Sequence, residues 1–219
     1  MIRSPRATLA QAIAAPRSLA LGALIVAIAA ACSTGFLMTR VGRLAALDQQ
    51  VRQLESFGAV ITDERYETLR RLVPYRPVIG ASIIVIGWPC GWAALAAVLQ
   101  RIGGARRRIP FAKLLTVVVH ASAVFALQSV VATPINYARE SLGGATSLGM
   151  VVPAFAESSF PARLVGAVDL FIVWWMVLVA IGLSMLYESR ALPIARWMFG
   201  AYAAAAAALA LTQTLRGGI

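Results

Sequence analysis

The chain has 219 residues, of which 60% are hydrophobic and only 13% are charged. A soluble domain of this size carries about a quarter charged residues, so the composition argues against a soluble protein and predicts an all-α integral membrane protein. The formal net charge is +11, but the arginines flank apolar runs, where they would face lipid phosphates. This placement makes the lipid bilayer, and not nucleic acid, the expected partner of the positive charge.

Five apolar runs are long enough to cross a bilayer, which takes about 20 helical residues. In chain order they extend over residues 19–39, 78–99, 114–132, 164–186 and 194–211. No linker separates them, so residues 1–219 are predicted to form a single polytopic membrane domain, a bundle of five transmembrane helices. The fifth run is rich in alanine, which gains little from lipid but permits close packing. We therefore expect this helix to be held inside the bundle.

The first run has a second interpretation as a lipoprotein signal. A basic start and an apolar stretch precede Cys32, as such a signal requires. However, Ala29 stands three residues before Cys32, where a branched aliphatic residue is usual, and the apolar stretch continues through Phe36. Both observations favour a membrane span, and the intact mass of the purified protein distinguishes the two interpretations.

Residues 40–77 form the one long polar stretch of the sequence. Thr62 and Asp63 are typical of a helix start, with an N-cap followed by acidic residues in the first turn. The apolar residues before them recur at three- and four-residue spacing, which predicts one apolar helix face: Leu44, Leu47, Val51 and Leu54. We therefore expect an amphipathic helical loop at the membrane surface, between the first and second helices. A docking site for a partner is the alternative interpretation.

The basic residues of the short loops predict the orientation of the chain. Five of them lie between the second and third runs: Arg101, Arg106, Arg107, Arg108 and Lys113. The segment after the third run, residues 134–162, contains only Arg139. By the positive-inside rule the first of these loops is cytoplasmic, so with five spans the N-terminus is cytoplasmic and the C-terminus is outside. The arginine- and alanine-rich composition is typical of a bacterial protein, which indicates the inner membrane.

Three polar side chains within the spans are candidates for a functional or a structural role. A charged Asp169 would cost about 2.5–3.5 kcal/mol at the centre of a membrane helix, so it should face the bundle, with Gln128 as a candidate partner. It is either an ion or substrate contact or a hydrogen-bonded structural carboxylate, and the lack of a basic partner favours the second. His120 lies nearer the cytoplasmic end of its helix, away from Asp169. We expect it to be a neutral imidazole bonded to a backbone carbonyl or a hydroxyl.

A proline interrupts the second run. Pro89 removes one helical hydrogen bond and therefore predicts a kink. Gly87 and Gly91 lie on either side of it at i,i+4 spacing and permit close approach of a neighbouring helix. This pattern is typical of a helix-packing position, although a kinked helix can also gate a pathway.

The sequence contains no catalytic or ligand-binding motif. Gly103-Gly104 and Gly143-Gly144 lack the spacing and the lysine of a phosphate-binding loop. Cys32 and Cys90 lie in separate apolar runs, where neither a disulfide framework nor a metal site is expected. We therefore expect a protein that is not an enzyme and that holds no metal or other cofactor.

Two short motifs occupy characteristic places among the apolar runs. Gly103 and Gly104 follow the second run. Asp169, Phe171 and Trp174 stand at positions i, i+2 and i+5 of the fourth run. This order of parts resembles the YIP family of Ypt/Rab-interacting membrane proteins, specifically its bacterial branch.

The resemblance covers roughly residues 78–197. It implies five spans, a cytoplasmic N-terminus and a role as a membrane adaptor. Eukaryotic relatives recruit small GTPases, but the first run of this chain already starts near Leu19, with no long polar region before it. We therefore do not expect this chain to share GTPase recruitment.

Two functions follow from these observations. The first is a non-enzymatic membrane scaffold or adaptor that contacts a membrane-protein partner, or a second copy of itself, through its helices and loops. The alternative is a small permease, or an accessory subunit of a membrane export system, with a polar path formed by the kinked second helix and Asp169. Transporters with a site at the bilayer midplane usually contain inverted repeats, and this sequence shows none, which favours the scaffold.

Overall fold

The computed structural model describes residues 4–14, 18–56, 59–73, 87, 90–91, 93–94, 109–142, 144–151 and 160–216. Over these ranges the chain is helical apart from turns and one isolated antiparallel β-bridge between Ser147 and Asp169. The described helices of four or more residues are, in chain order, α1 (Pro5–Ala14), α2 (Ser18–Met38), α3 (Arg40–Ser56), α4 (Asp63–Leu72), α5 (Phe111–Ala121), α6 (Ala123–Ala138), α7 (Leu148–Val151), α8 (Phe160–Gly166), α9 (Leu170–Leu186) and α10 (Ala191–Arg216).

Three helices of the described part of the chain are long and apolar enough to cross a membrane. They are α2, the stretch Phe111–Ala138 formed by α5 and α6, and the stretch Ala191–Thr212 within α10. Helix α9 is also apolar but has only 17 residues. The second predicted span, residues 78–99, lies almost wholly outside the described residues. The described residues therefore form an all-helical architecture with three candidate membrane spans.

The fourth apolar run consists of two helices instead of one. Helix α8 ends at Gly166, the backbone leaves the helical conformation over residues 167–169, and α9 begins at Leu170. The apolar composition of residues 164–186 predicted no interruption. The break brings Asp169 to the N-terminus of α9, and both α8 and α9 pack against α10.

Trp175 of α9 is fully buried in a hydrophobic cluster formed by α5, α6 and α9. Its ring stacks on Phe125 of α6 with the ring centroids 5.9 Å apart. Its indole N–H donates to the hydroxyl oxygen of Ser122, at 3.2 Å, where α5 meets α6. Because the indole N–H has a partner, the aromatic ring can be buried without leaving an unsatisfied donor. This contact fixes α9 against α5 and α6.

Helix α10 lies at the edge of the described bundle, so the expectation that it is held inside is wrong. Its side chains Met198, Phe199 and Tyr202 pack on the cluster around Trp175, and Ala206 is buried. Most of the remaining helix surface is exposed. Alanine allowed close packing on any side of this helix, but the larger side chains determine which side meets the core.

Helices α2 and α3 meet at a tight corner. The Thr39 hydroxyl donates to the carbonyl oxygen of Phe36 at 2.6 Å and accepts from the backbone N–H of Gly42 at 2.9 Å. A Cβ atom at Gly42 would lie only 2.0 Å from the Phe36 carbonyl oxygen, so the corner leaves no space for a side chain there. This geometry holds α3 against the end of α2.

Helices α3 and α4 make up the described part of the polar stretch. Helix α4 begins at Asp63, and the Thr62 hydroxyl accepts a hydrogen bond from a backbone N–H of its first turn. The helix start predicted at Thr62 is therefore confirmed. On α3, Leu47 is buried in a small cluster with the end of α2, whereas Leu44 is exposed.

Candidate functional site

Asp169 caps the N-terminus of α9. Its backbone is extended (φ −96°, ψ 126°), and its Oδ1 accepts hydrogen bonds from the backbone N–H groups of Phe171 at 2.8 Å and Ile172 at 3.2 Å. The first N–H groups of a helix have no partner within the helix, and aspartate is among the preferred residues for this position. Its negative charge also lies at the positive end of the helix dipole. A carboxylate in this place therefore stabilises the start of α9.

The second carboxylate oxygen of Asp169 faces two side chains from other segments. Oδ2 accepts from the Gln128 amide nitrogen at 2.8 Å and from the Thr146 hydroxyl. The same Gln128 nitrogen also donates to the Thr146 hydroxyl oxygen at 2.9 Å. The carboxylate therefore joins α6 and the segment before α7 to the start of α9.

Backbone pairing holds the segment before α7 beside the break. The N–H of Leu148 donates to the carbonyl oxygen of Val168 at 2.7 Å, and the N–H of Leu170 donates to that of Thr146 at 3.0 Å. Helix α7 also packs closely against α8, because a Cβ at Gly149 would lie only 3.0 Å from the Cα of Gly166. The carbonyl oxygen of Val168 and the N–H of Leu170 thus find backbone partners in a distant part of the chain.

Tyr202 of α10 completes the network. Its hydroxyl accepts from the backbone N–H of Asp169 at 3.0 Å and donates to the carbonyl oxygen of Ala167 at 2.9 Å. These two backbone groups lie at the break, where α8 has ended and α9 has not begun. One phenol therefore provides partners for both a donor and an acceptor at the break and ties it to α10.

The Asp169 carboxylate receives four hydrogen bonds, two on each oxygen. An ionised carboxylate offers about four lone-pair sites, so every site has a partner. Within the described residues no group of three or more His, Cys, Asp or Glu side chains could hold a metal ion. The geometry is that of a structural carboxylate that connects several segments, with no oxygen left to contact a substrate or an ion.

The structure brings some of the predicted residues together and separates others. Gln128 is one of the two side-chain partners of the Asp169 carboxylate, as its depth in the third run predicted. Phe171 and Trp174 are in ring contact next to the cap, with centroids 6.1 Å apart. His120 lies apart from this network, and its Nδ1–H donates to the carbonyl oxygen of Thr116 at 2.8 Å, on its own helix.

Of the glycine and proline positions predicted in the second run, the structure describes Gly87 and Gly91. Among the described residues nothing lies within 4 Å of a Cβ placed at Gly87 or Gly91, and their role in helix packing stays a prediction. Pro89, Gly103 and Gly104 lie outside the described residues.

Thr146 and Tyr202 belong to the site but were not predicted. Thr146 lies in a segment that the sequence indicated only as a loop, and no local pattern connects it to Asp169. Tyr202 gave a usable signal, because it is the single hydrogen-bonding side chain in the alanine-rich stretch 201–211. A lone phenol in an apolar run of a membrane protein needs a polar partner.

Removing the Tyr202 hydroxyl should loosen α10. The Tyr202→Phe variant leaves the ring in place but takes away one donor and one acceptor, so we expect a loss of about 1–2 kcal/mol in the free energy of unfolding. Thermal unfolding in detergent measures this change. Tyr66→Phe, at an exposed tyrosine of α4, is the matched control and should leave the melting temperature unchanged. Equal melting of Tyr202→Phe and the unaltered protein would contradict the role of this hydroxyl.

Comparison with known proteins gives this site no precedent. No family model, no curated protein and no solved structure matches the chain. The function therefore has to be inferred from the contacts around Asp169 and from the surfaces that the helices expose.

Proposed function

We propose that this chain is a non-enzymatic scaffold or adaptor of a bacterial inner membrane, of the kind that the resemblance to the YIP family implies. In this proposal five helices cross the membrane, the N-terminus is cytoplasmic and the C-terminus is outside. The length and apolar character of α2, α5 with α6, and α10 support insertion in a membrane. The orientation follows from the basic loop between the second and third runs.

The observation that carries the proposal is an exposed face of small residues on α10. Gly200, Ala204 and Ala208 recur at four-residue spacing and are all exposed. They form the small-residue face of α10, with Trp197, 82% exposed, beside them. Alanine gains little from contact with lipid, whereas small side chains let two helices approach closely and gain dispersion energy. This face is therefore better suited to another helix than to lipid.

The opposite side of α10 makes that face rigid. Met198 and Phe199 pack on the core, and Tyr202 is hydrogen-bonded to the break before α9. A helix held in this way loses little conformational freedom when a partner binds, which favours association. The Asp169 network thus has a place in the scaffold, since it fixes the helix that presents the small-residue face.

A pull-down from native membranes tests the proposal. Tagged protein solubilised in mild detergent should retain a membrane-protein partner, or a differently tagged second copy, in stoichiometric amount. Ala204→Leu places a bulky side chain on the small-residue face and should reduce the retained partner about tenfold, which corresponds to about 1.4 kcal/mol. Quantitative mass spectrometry measures the ratio.

Ala205→Leu is the matched control. Ala205 is also exposed, but it lies about 100° around the helix from Ala204, so this variant should retain the partner. A protein that stays monomeric and alone in several detergents would contradict the proposal, as would equal retention by the two variants.

A small permease or export subunit remains the second candidate, because one observation favours it. Helices that break within a membrane form the substrate sites of many transporters, where a helix N-terminus points at the substrate. Here α9 has such an N-terminus, but Asp169 of the same chain already occupies it. We therefore place the permease second; the Asp169→Asn variant tests it.

A further inference from the structure

A cavity of about 410 Å³ lies where α2, α3 and α6 meet. It is separate from the Asp169 network and lies near the C-terminal ends of α2 and α6, with Val73 and Leu142 at its sides. Cavities that hold small molecules have volumes from about 300 Å³ upward. In a membrane, the ends of two spans lie at the level of the lipid headgroups. A ligand at that level would therefore enter this cavity directly.

The cavity wall has a polar and an apolar part. The polar side chains come from all three helices and are uncharged: Ser33, Gln49, Gln50, Thr133 and Asn136. The apolar part includes Phe36 and Leu37, both buried. None of the lining side chains that the structure describes carries a charge, and burying a charged ligand without a counter-charge would be costly. The wall therefore suits an uncharged ligand that has hydrogen-bonding groups beside a short apolar portion.

Asn136 requires a partner from such a ligand. Its Oδ1 is inaccessible to solvent and accepts no hydrogen bond. A buried carbonyl oxygen without a donor costs about 1–3 kcal/mol. The Thr133 hydroxyl cannot supply that donor, because it donates to the carbonyl oxygen of Ser129 at 2.6 Å. The Asn136 side chain lines the cavity, so a rotation of its amide turns this acceptor toward an incoming O–H or N–H group.

We propose that this cavity binds a neutral polyol group of the glycerol type, carried by a lipid or free in solution. Hydroxyl groups both donate and accept, which matches Asn136 together with the amide and hydroxyl side chains around it. Phe36 and Leu37 then contact the first methylene groups of a lipid-borne ligand. The corner at Thr39 and Gly42 fixes α3 against α2 and so keeps the two walls in place.

Retention of radiolabelled dioleoylglycerol by the full chain in nanodiscs tests this proposal. The protein should retain the lipid saturably and in stoichiometric amount. Ala46 lines the cavity, and Ala46→Leu fills it, so this variant should keep its melting temperature and lose retention at least tenfold. Asn136→Leu removes the acceptor and should weaken retention about tenfold, the equivalent of one hydrogen bond. Tyr137→Phe, at an exposed neighbour on α6, should retain the lipid unchanged.

Two competitors identify the source and the charge of the ligand. Displacement of dioleoylglycerol by excess glycerol would assign the site to a free polyol, whereas retention in excess glycerol would assign it to a lipid headgroup. Phosphatidylglycerol, which is anionic, should compete poorly. If it competes as well as unlabelled dioleoylglycerol, or if Ala46→Leu retains as much lipid as the unaltered protein, the proposal is wrong and the cavity holds water.

Discussion

Replacing Asp169 with alanine should destabilise the protein by about 2–5 kcal/mol. The change removes the N-cap of α9, and the loss of an N-cap typically costs about 1 kcal/mol of stability. It also leaves the Thr146 hydroxyl without its acceptor and removes one of the two acceptors of the Gln128 amide, and a buried unsatisfied group costs about 1–3 kcal/mol. Thermal and denaturant unfolding in detergent should both show the loss. Asp48→Ala is the matched control, because that carboxylate is exposed and pairs with Arg52 on the surface; it should change stability by less than about 0.5 kcal/mol.

The Asp169→Asn variant distinguishes the scaffold from the permease. Asparagine keeps an oxygen for the N–H groups of Phe171 and Ile172, but its NH₂ group then faces the Gln128 amide nitrogen and the Thr146 hydroxyl. We expect an intermediate loss of stability with no loss of a transport phenotype. A variant that melts like the unaltered protein but abolishes transport would instead assign Asp169 to a permease.

Replacing Gly182 with alanine should destabilise the packing of α9 on α5. A Cβ at Gly182 would lie 2.3 Å from Cγ1 of Val117, which is fully buried. Overpacking of this kind typically costs about 1–3 kcal/mol. The expected sign is opposite to that at an open helix position, where alanine is better than glycine by about 0.5–1 kcal/mol. Gly35→Ala on α2, which meets nothing within 4 Å, provides that comparison and should be neutral or stabilising.

A second substitution makes this prediction specific. Val117→Ala removes the methyl groups that clash, so the double variant Gly182→Ala, Val117→Ala should be more stable than the sum of the two single changes predicts. A double-mutant cycle in thermal unfolding measures this coupling. Additive effects, or a Gly182→Ala variant that melts as high as Gly35→Ala, would contradict close packing at this position.

Local chemistry made some features predictable from the sequence. The start of α4 at Thr62 follows from capping, which involves residues only a few positions apart. The pairing of Asp169 with Gln128 followed from depth, because two polar groups in neighbouring apolar helices need each other. Both inferences used constraints that are visible in one stretch of sequence or in the order of the spans.

The break at residues 167–169 depends on partners that the sequence does not indicate. Thr146 is 23 residues from Asp169, and Tyr202 is 33 residues away. The apolar pattern of residues 164–186 is fully compatible with a continuous helix, and the interruption is favoured by the Asp169 cap together with these distant contacts. The position of α10 was mispredicted for a related reason: its alanines permit packing on any side, and the core contact is selected by larger residues such as Met198.

The broken fourth run has a consequence for insertion during synthesis. In the proposed arrangement of five spans α9 crosses the bilayer, but its 17 residues extend over about 26 Å, less than the hydrocarbon core of about 30 Å. Its polar start is therefore exposed to hydrocarbon unless partners are already present. Gln128 and Thr146 precede Asp169 in the chain and leave the ribosome before it, whereas Tyr202 follows. The carboxylate can thus be bound from one side as α9 enters the bilayer, and α10 closes the network last.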